Sequence, residues 1–185
     1  MEKLLFYCSK AKSELFSTDK GFVLSDFGIG SHFKDIYKLN GKIVGMCDCD
    51  FVEEITCYSG YKTESLSTEE LYKASCLSGM DMHRYLRIRN GYALHLSNVK
   101  VFDKSKELSD YFQFQNCCMN SFGGLVDDYY PIKKAPKNMC FAYDKNGNRF
   151  ILISIKSKPL FEILNGSKTI EVRKAILNIL KEIIV

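Results

Sequence analysis

The segment from Phe150 to Lys174, FILISIKSKPLFEILNGSKTIEVRK, leaves the chain few choices. Ile151, Ile153 and Ile155 alternate on one face of a strand over Phe150–Lys156, the period of a buried β-strand. Ser157 has the chemistry of a helix N-cap. Pro159 falls in the first turn, where its missing N–H is tolerated. Leu160, Phe161, Ile163 and Leu164 give a short apolar helical stripe, and Asn165-Gly166 supplies a left-handed stop. A second strand, Thr169–Arg173, follows, with Ile170 and Val172 on one face and Thr169, Glu171 and Arg173 on the other. A strand, a helix and a strand in 25 residues thus bring Lys168, Glu171 and Arg173 together. Two cations beside one carboxylate are costly to bury unless they meet a ligand or one another. They form the candidate site, and a structural ion pair at a strand end is its plainer reading.

The charge of the chain is concentrated there. Its net charge is +4, but residues 133–174 hold ten Lys or Arg against three acids, a local +7, so the remainder sums to −3. A basic segment that coincides with the candidate site suits an anionic partner such as nucleic acid. For any single lysine, a solvated surface position is the ordinary role. No apolar run approaches the ~20 residues that span a bilayer, and MEKLLFYCSKAK has too short an apolar core for a secretory signal. A cytoplasmic protein is expected, its eight cysteines held as thiols.

The rest of the chain reads as α+β. Strands are expected at Leu4–Ser9, Lys42–Ile55, Tyr92–Val101 and Met139–Tyr143. Asp144–Asn148 contains Asn-Gly and joins the last of these to Phe150 as a hairpin. On Lys42–Ile55, Ile43, Gly45, Cys47, Cys49 and Phe51 share one face by strict alternation. Ser67 or Thr68 opens a helix whose first turn carries Glu69 and Glu70. Ser78–Ile88 is a second helix, closed by Asn90-Gly91, and Ala175–Val185 is a third with a broad Ile/Leu stripe. Ser13–Asn40 is an irregular excursion, Thr56–Ser67 a polar loop, and Gln113–Tyr130 an aromatic surface loop. With no repeat or linker, residues 1–185 form one domain.

SIK, a short helix ending in NG, and then SKTIEVRK resemble the opening segment of the ASCH domain, a PUA-like β-barrel. The motif is a glycine, one residue, a lysine and an arginine five further on, here Gly166, Lys168 and Arg173. Gly41–Cys49, Gly91–Val99 and Val101–Tyr111 resemble the later strands of the same domain in order, so the likeness touches about two thirds of the chain. Phage-encoded members look most similar. In that family the strand–helix–RK segment comes first and the strand resembling LLFYCSK follows it. Here the opening segment comes last, joined through DKNGN to KAPKNMCFAY, which resembles the final strand. The resemblance therefore implies a circularly permuted barrel with flanking helices. Its rival is the tail of one copy fused to the head of another, which would leave strands missing.

The same resemblance implies a nucleic-acid or nucleotide ligand, RNA first, in a bacterial host cell. Lys168, Glu171, Arg173, Lys156, Ser9 and Lys10 are its candidate contacts, with Tyr7 at the same opening, and no cofactor is expected. One ASCH branch hydrolyses acetylated cytidine with the motif lysine, a threonine and a glutamate. By resemblance the lysine is Lys168 and the threonine falls on Glu171, a departure. The second acid falls near Ala74–Cys76, where none stands, with Glu69, Glu70 or Asp81 as substitutes. Lys168 and Glu171 are then the catalytic candidates of an amidohydrolase, with no nucleophile in view. A third reading is a phage module that blocks a host defence or transcription protein through Gln113–Tyr130 and the C-terminal stripe. His95 is read as a structural strand histidine, with ligand contact as the lesser role. His32 and His83 have no visible partners. Cys47, Cys49, Cys57 and the Cys117-Cys118 pair lack the spacing of four zinc ligands, so no metal is expected and the strand cysteines are read as small hydrophobes.

Overall fold

The computed structural model describes residues 2–9, 41–115 and 128–181 of the chain. Lys10, Ser13–Asn40, His32 and the Cys117-Cys118 pair, named above, lie outside these residues. The described strands are β1 (Glu2–Cys8), β2 (Ile43–Cys57), β3 (Tyr61–Lys62), β4 (Gly91–Lys106), β5 (Phe112–Gln115), β6 (Asp128–Pro131), β7 (Met139–Tyr143), β8 (Arg149–Ile155) and β9 (Ile170–Arg173). The helices are α1 (Thr68–Ser75), α2 (Gly79–Leu86), α3 (Ser157–Leu164) and α4 (Asn178–Lys181). The chain is thus α+β and mostly sheet. Its strands form one open sheet in the order β6-β5-β7-β8-β1-β2-β4-β9, with β3 beside β2. The β1–β8 pair is parallel and the other described pairs are antiparallel.

The predicted hairpin of β7 and β8 is present, with Cys140 opposite Leu152. Asp144 accepts the backbone N–H groups of Asn146 and Asn148 and so fixes its turn. β8 then lies against β1, Phe6 beside Ile153. Both faces of these central strands are covered. Leu4, Phe6, Ile151, Ile153 and Ile155 join the largest apolar cluster, together with Leu160 and Ile163 of α3 and Leu180 of α4. Leu5, Tyr7 and Leu152 join a second cluster behind the sheet. A third, of Ile55, Leu71, Met82, Leu86, Ala93, Ile170 and Val172, seats α1 and α2 over β4 and β9.

Strict alternation fails on β2. Val44, Cys47, Cys49 and Val52 pack in the largest cluster, whereas Ile43 and Met46 pack behind the sheet. The register against β4 shifts between Ile43 and Gly45, between Met46 and Asp48, and again between Cys49 and Val52. Each irregularity can reset which face the next residue takes. Gly45 marks one of these places. A Cβ there would stand 2.5 Å from the Lys100 carbonyl oxygen. Gly45→Ala must therefore push β2 from β4, and a loss of about 1–3 kcal/mol, the usual range for overpacking, is expected in urea unfolding.

Three further expectations change. Gln113–Tyr130 is not all loop, since β5 and β6 pair across it with Phe114 opposite Tyr129. Thr56–Ser67 contains the β3 strand, paired to the end of β2. The N-cap of α3 is Lys156, not Ser157, and it makes no side-chain capping bond. Capping elsewhere follows the sequence. Ser67 with Glu70, and Ser78 with Asp81, form reciprocal capping boxes at α1 and α2. α2 stops at Leu86, ahead of Asn90-Gly91, because Arg87 and Ile88 are both left-handed. Gly166 is left-handed after α3, as its sequence requires.

Candidate functional site

β9 runs antiparallel to β4, so Leu94 stands opposite Glu171 and Tyr92 opposite Arg173. Leu94 lies in the largest cluster, and Glu171 and Arg173 therefore enter the same side of the sheet. Lys168 sits in the turn between α3 and β9, where its backbone N–H donates to the Glu162 carbonyl at 2.8 Å. The three side chains meet as the sequence implies. Lys168 Nζ lies 3.3 Å from Glu171 Oε2, and Arg173 Nη2 lies 2.9 Å from Glu171 Oε1.

Burial is where the structure corrects the sequence. A solvent-facing Arg173 is what strand alternation suggests, yet Arg173 is 6% exposed, Glu171 7% and Lys168 3%. The open side that alternation suggests is closed by polar contacts to the end of α1, to β8 and to Asn138. Lys168 Nζ donates to the Ser75 carbonyl at the end of α1 at 2.7 Å. Arg173 donates to the Ser154 carbonyl of β8 at 2.9 Å and to Asn138 Oδ1 at 3.2 Å. Asn138 in turn donates to the Ala175 carbonyl at 2.7 Å. The triad therefore ties β9 to α1, to β8 and to the 136–138 segment. It keeps a surplus of one positive charge, and Arg173 Nε is buried with no hydrogen-bond partner among the described residues.

Burial outweighs this charge in the groups around it. Glu162 is pushed above the ordinary glutamate range by burial, against the pull of Lys158 and Lys168. Tyr85, 38% exposed, is raised by burial, with Arg173 and Glu171 acting on it in opposite senses. Lys174 Nζ lies 5.0 Å from the centre of the Tyr85 ring.

Among the described residues, the other predicted contacts are not bonded to the triad. Ser9 and the exposed Lys156 lie where β1 and β8 end, and Ser9 Oγ donates to the Ile155 carbonyl at 3.0 Å. No hydrogen bond or ion pair joins either to Lys168, Glu171 or Arg173 among the described residues. Tyr7 is buried within β1 on the rear cluster. Of the acids offered as substitutes, Glu70 and Asp81 are engaged in their capping boxes. Residues 74–76 do reach Lys168, but with a backbone carbonyl where a hydrolase needs a carboxylate. Nor do the nearby hydroxyls face the triad, because Ser75 Oγ donates to the Tyr72 carbonyl and Ser154 Oγ to that of Pro136. Cys47 and Cys49 pack in the largest cluster, and burial pushes the Cys49 thiol up to about 12. Ile176, Leu177 and Ile179 of the C-terminal stripe pack against that cluster too.

Compared with protein-family models, curated proteins and solved structures, the chain has no significant match. Its functional assignment therefore rests on its own residues. One polar group escaped the sequence altogether. Glu53, 1% exposed, accepts from the Ser65 N–H at 2.8 Å and the Ser65 hydroxyl at 2.9 Å, and its Oε2 lies 2.6 Å from His95 Nε2. His95 stacks on Phe51 with ring centroids 3.9 Å apart. The histidine was visible in the sequence, but its partner lies 42 residues away on another strand, and only strand pairing brings them together.

Proposed function

We propose that this chain binds single-stranded nucleic acid, RNA in the first instance, as a permuted ASCH-like module acting in a bacterial host cell. One observation carries the reading. Of the ten Lys and Arg in residues 133–174, eight are exposed, and of these eight only Arg149 belongs to an ion pair among the described residues, with Glu2. Unpaired surface cations at this density favour a polyanion, through counterion release. The two buried cations act from below. The surplus charge of the triad lies beneath Tyr85 and Lys174, and an exposed ring beside an ammonium is the pairing that holds a stacked base and its phosphate. The Asn138–Ala175 bond draws the backbone beside Lys137 to that beside Lys174.

Lys168, Glu171 and Arg173 thereby shape the interface and set its potential, while Tyr85, Lys137 and Lys174 make the contacts. The match of Gly166, Lys168 and Arg173 to the ASCH motif supports the reading, as does the Arg173–Ser154 bond, which draws β9 toward β8 as a closing barrel requires. No helix among the described residues is long and apolar enough to cross a membrane.

The test is titration of a labelled single-stranded RNA at several salt concentrations. The Lys137→Glu/Lys174→Glu double variant is expected to weaken binding at least tenfold. It should also flatten the salt slope by about 1.4, the share of two phosphates on a single strand. Tyr85→Ala should cost about 1–3 kcal/mol, the usual worth of one base–aromatic stack. Wild-type protein that ignores RNA at low salt, or variants that bind unchanged, would refute the assignment.

A further inference from the structure

Behind the sheet, where β1, β2, β4 and β8 meet the Asp144–Asn148 turn, lies a cavity of about 560 Å³. It falls within the size range of small-molecule sites. Leu5 and Met46 contribute apolar lining, and the rings of Phe102, Tyr111 and Phe150 contribute aromatic lining. The Tyr111 and Phe150 rings meet edge to face with centroids 6.0 Å apart. Lys106 Nζ lies 4.6 Å from the Phe102 ring centre and 5.7 Å from that of Tyr111, and donates to the Tyr111 hydroxyl at 3.4 Å.

The charges around the cavity are unequally occupied. Arg149 is paired with Glu2 at 3.0 Å. Asp144 is held by Asn146 and Asn148, and the hydrogen bonds from Asn148 keep its carboxyl below the ordinary aspartate range. Lys3 and Lys106 take part in no ion pair among the described residues. Lys106 acts on Asp144 only at longer range, and three cations against two carboxylates leave the lining with a surplus of one positive charge. Aromatic walls beside ammonium groups that belong to no ion pair fit a ligand that has a flat ring and an anion. Neither a bare phosphate nor an uncharged ring uses both.

We propose that this cavity is a binding site for a nucleoside monophosphate, with the base against Phe102, Tyr111 and Phe150 and the phosphate met by Lys3 and Lys106. The moiety is the same whether it arrives as a free nucleotide or as the terminal residue of an RNA strand. The site is separate from the Tyr85–Lys174 surface and stands or falls without it.

Isothermal titration of the full chain with AMP, GMP, CMP and UMP tests the proposal. Ribose 5-phosphate, the four nucleosides and inorganic phosphate serve as partial ligands. At least one nucleotide should bind at least tenfold more tightly than every partial ligand. Lys106→Glu should weaken that nucleotide at least tenfold, with Lys106→Arg restoring most of the loss. Lys3→Glu, at an exposed side chain, is the second variant should Lys106→Glu disturb folding, and it should weaken the nucleotide too. A short RNA with a 5′-phosphate that displaces the mononucleotide marks the strand terminus as the source, and one that leaves it bound marks the free nucleotide. The Lys137→Glu/Lys174→Glu variant should keep its nucleotide affinity, which separates failure here from failure of the RNA surface. No nucleotide binding at millimolar concentration, equal binding of phosphate or ribose 5-phosphate, or an affinity unmoved by both lysine variants overturns the proposal.

Discussion

Glu171→Ala is expected to lower the stability of the protein by about 3–5 kcal/mol, the usual consequence of removing one partner from a buried ionic cluster. The reason is what remains. Lys168 and Arg173 are 3% and 6% exposed, and without Glu171 they would stand as two buried like charges held by carbonyl and amide oxygens alone. Arg173→Ala should also be severe, because it cuts the links from β9 to Ser154 and Asn138 together. Replacing all three at once with apolar residues, Lys168→Met/Glu171→Leu/Arg173→Met, should recover much of the loss, since desolvation of the charges disappears with them. Urea unfolding of the four proteins measures each term. A loss below about 1 kcal/mol for Glu171→Ala would match a surface ion pair and contradict the burial. This expectation governs how binding data are read, because weak RNA binding by a triad variant reports function only if the variant is folded.

That the triad is internal is what alternation on a strand cannot convey. Thr169, Glu171 and Arg173 read as an open face because polar residues alternate with Ile170 and Val172. In the structure Lys168 reaches the end of α1, and Arg173 reaches β8 and Asn138, partners that are distant in the chain. Local signals fared better. Asn146-Gly147 set the β7–β8 hairpin, Ser67–Glu70 and Ser78–Asp81 set two helix starts, and Asn165-Gly166 ended a third helix, each within a few residues. The failures were of two kinds. On β2, irregular pairing with β4 moves Val44 to the face of Cys47, a shift that depends on a partner strand and leaves no local mark beyond Gly45. At Phe112–Gln115 and Asp128–Pro131, four-residue strands are too short to show a period, so an aromatic stretch read as loop. The Glu53–His95 contact likewise belongs to the pairing of β2 with β4, where Glu53 stands opposite Ala93 and His95 lies two residues on.

Glu53 yields the second large effect. Burial alone would raise its pKa, but the Ser65 N–H, the Ser65 hydroxyl, His95 and Thr63 donate to the carboxylate, and together they hold it below the ordinary glutamate value. A group whose folded pKa lies below its unfolded value of 4.5 stabilises the fold fully above that value. That contribution is lost as pH falls through the lower, folded value. Glu53→Gln keeps the shape but removes the charge and turns an NH₂ toward donors. It should cost about 1.5–3 kcal/mol at pH 7, the scale of hydrogen bonds to a charged group. Glu53→Ala should cost at least as much, because Ser65 and His95 then lose their common acceptor. The pH dependence is the sharper reading. The gap in unfolding free energy between wild type and Glu53→Gln should narrow as pH falls below about 4.5 and the wild-type carboxyl protonates. Glu70→Gln serves as the comparison, since Glu70 is also held low, by Ser67, but on an exposed helix cap where little stability is at stake. A gap that stays the same from pH 7 to pH 3 would show that the charge of Glu53 is not what the strand pairing, the Ser65 loop and His95 are arranged to hold.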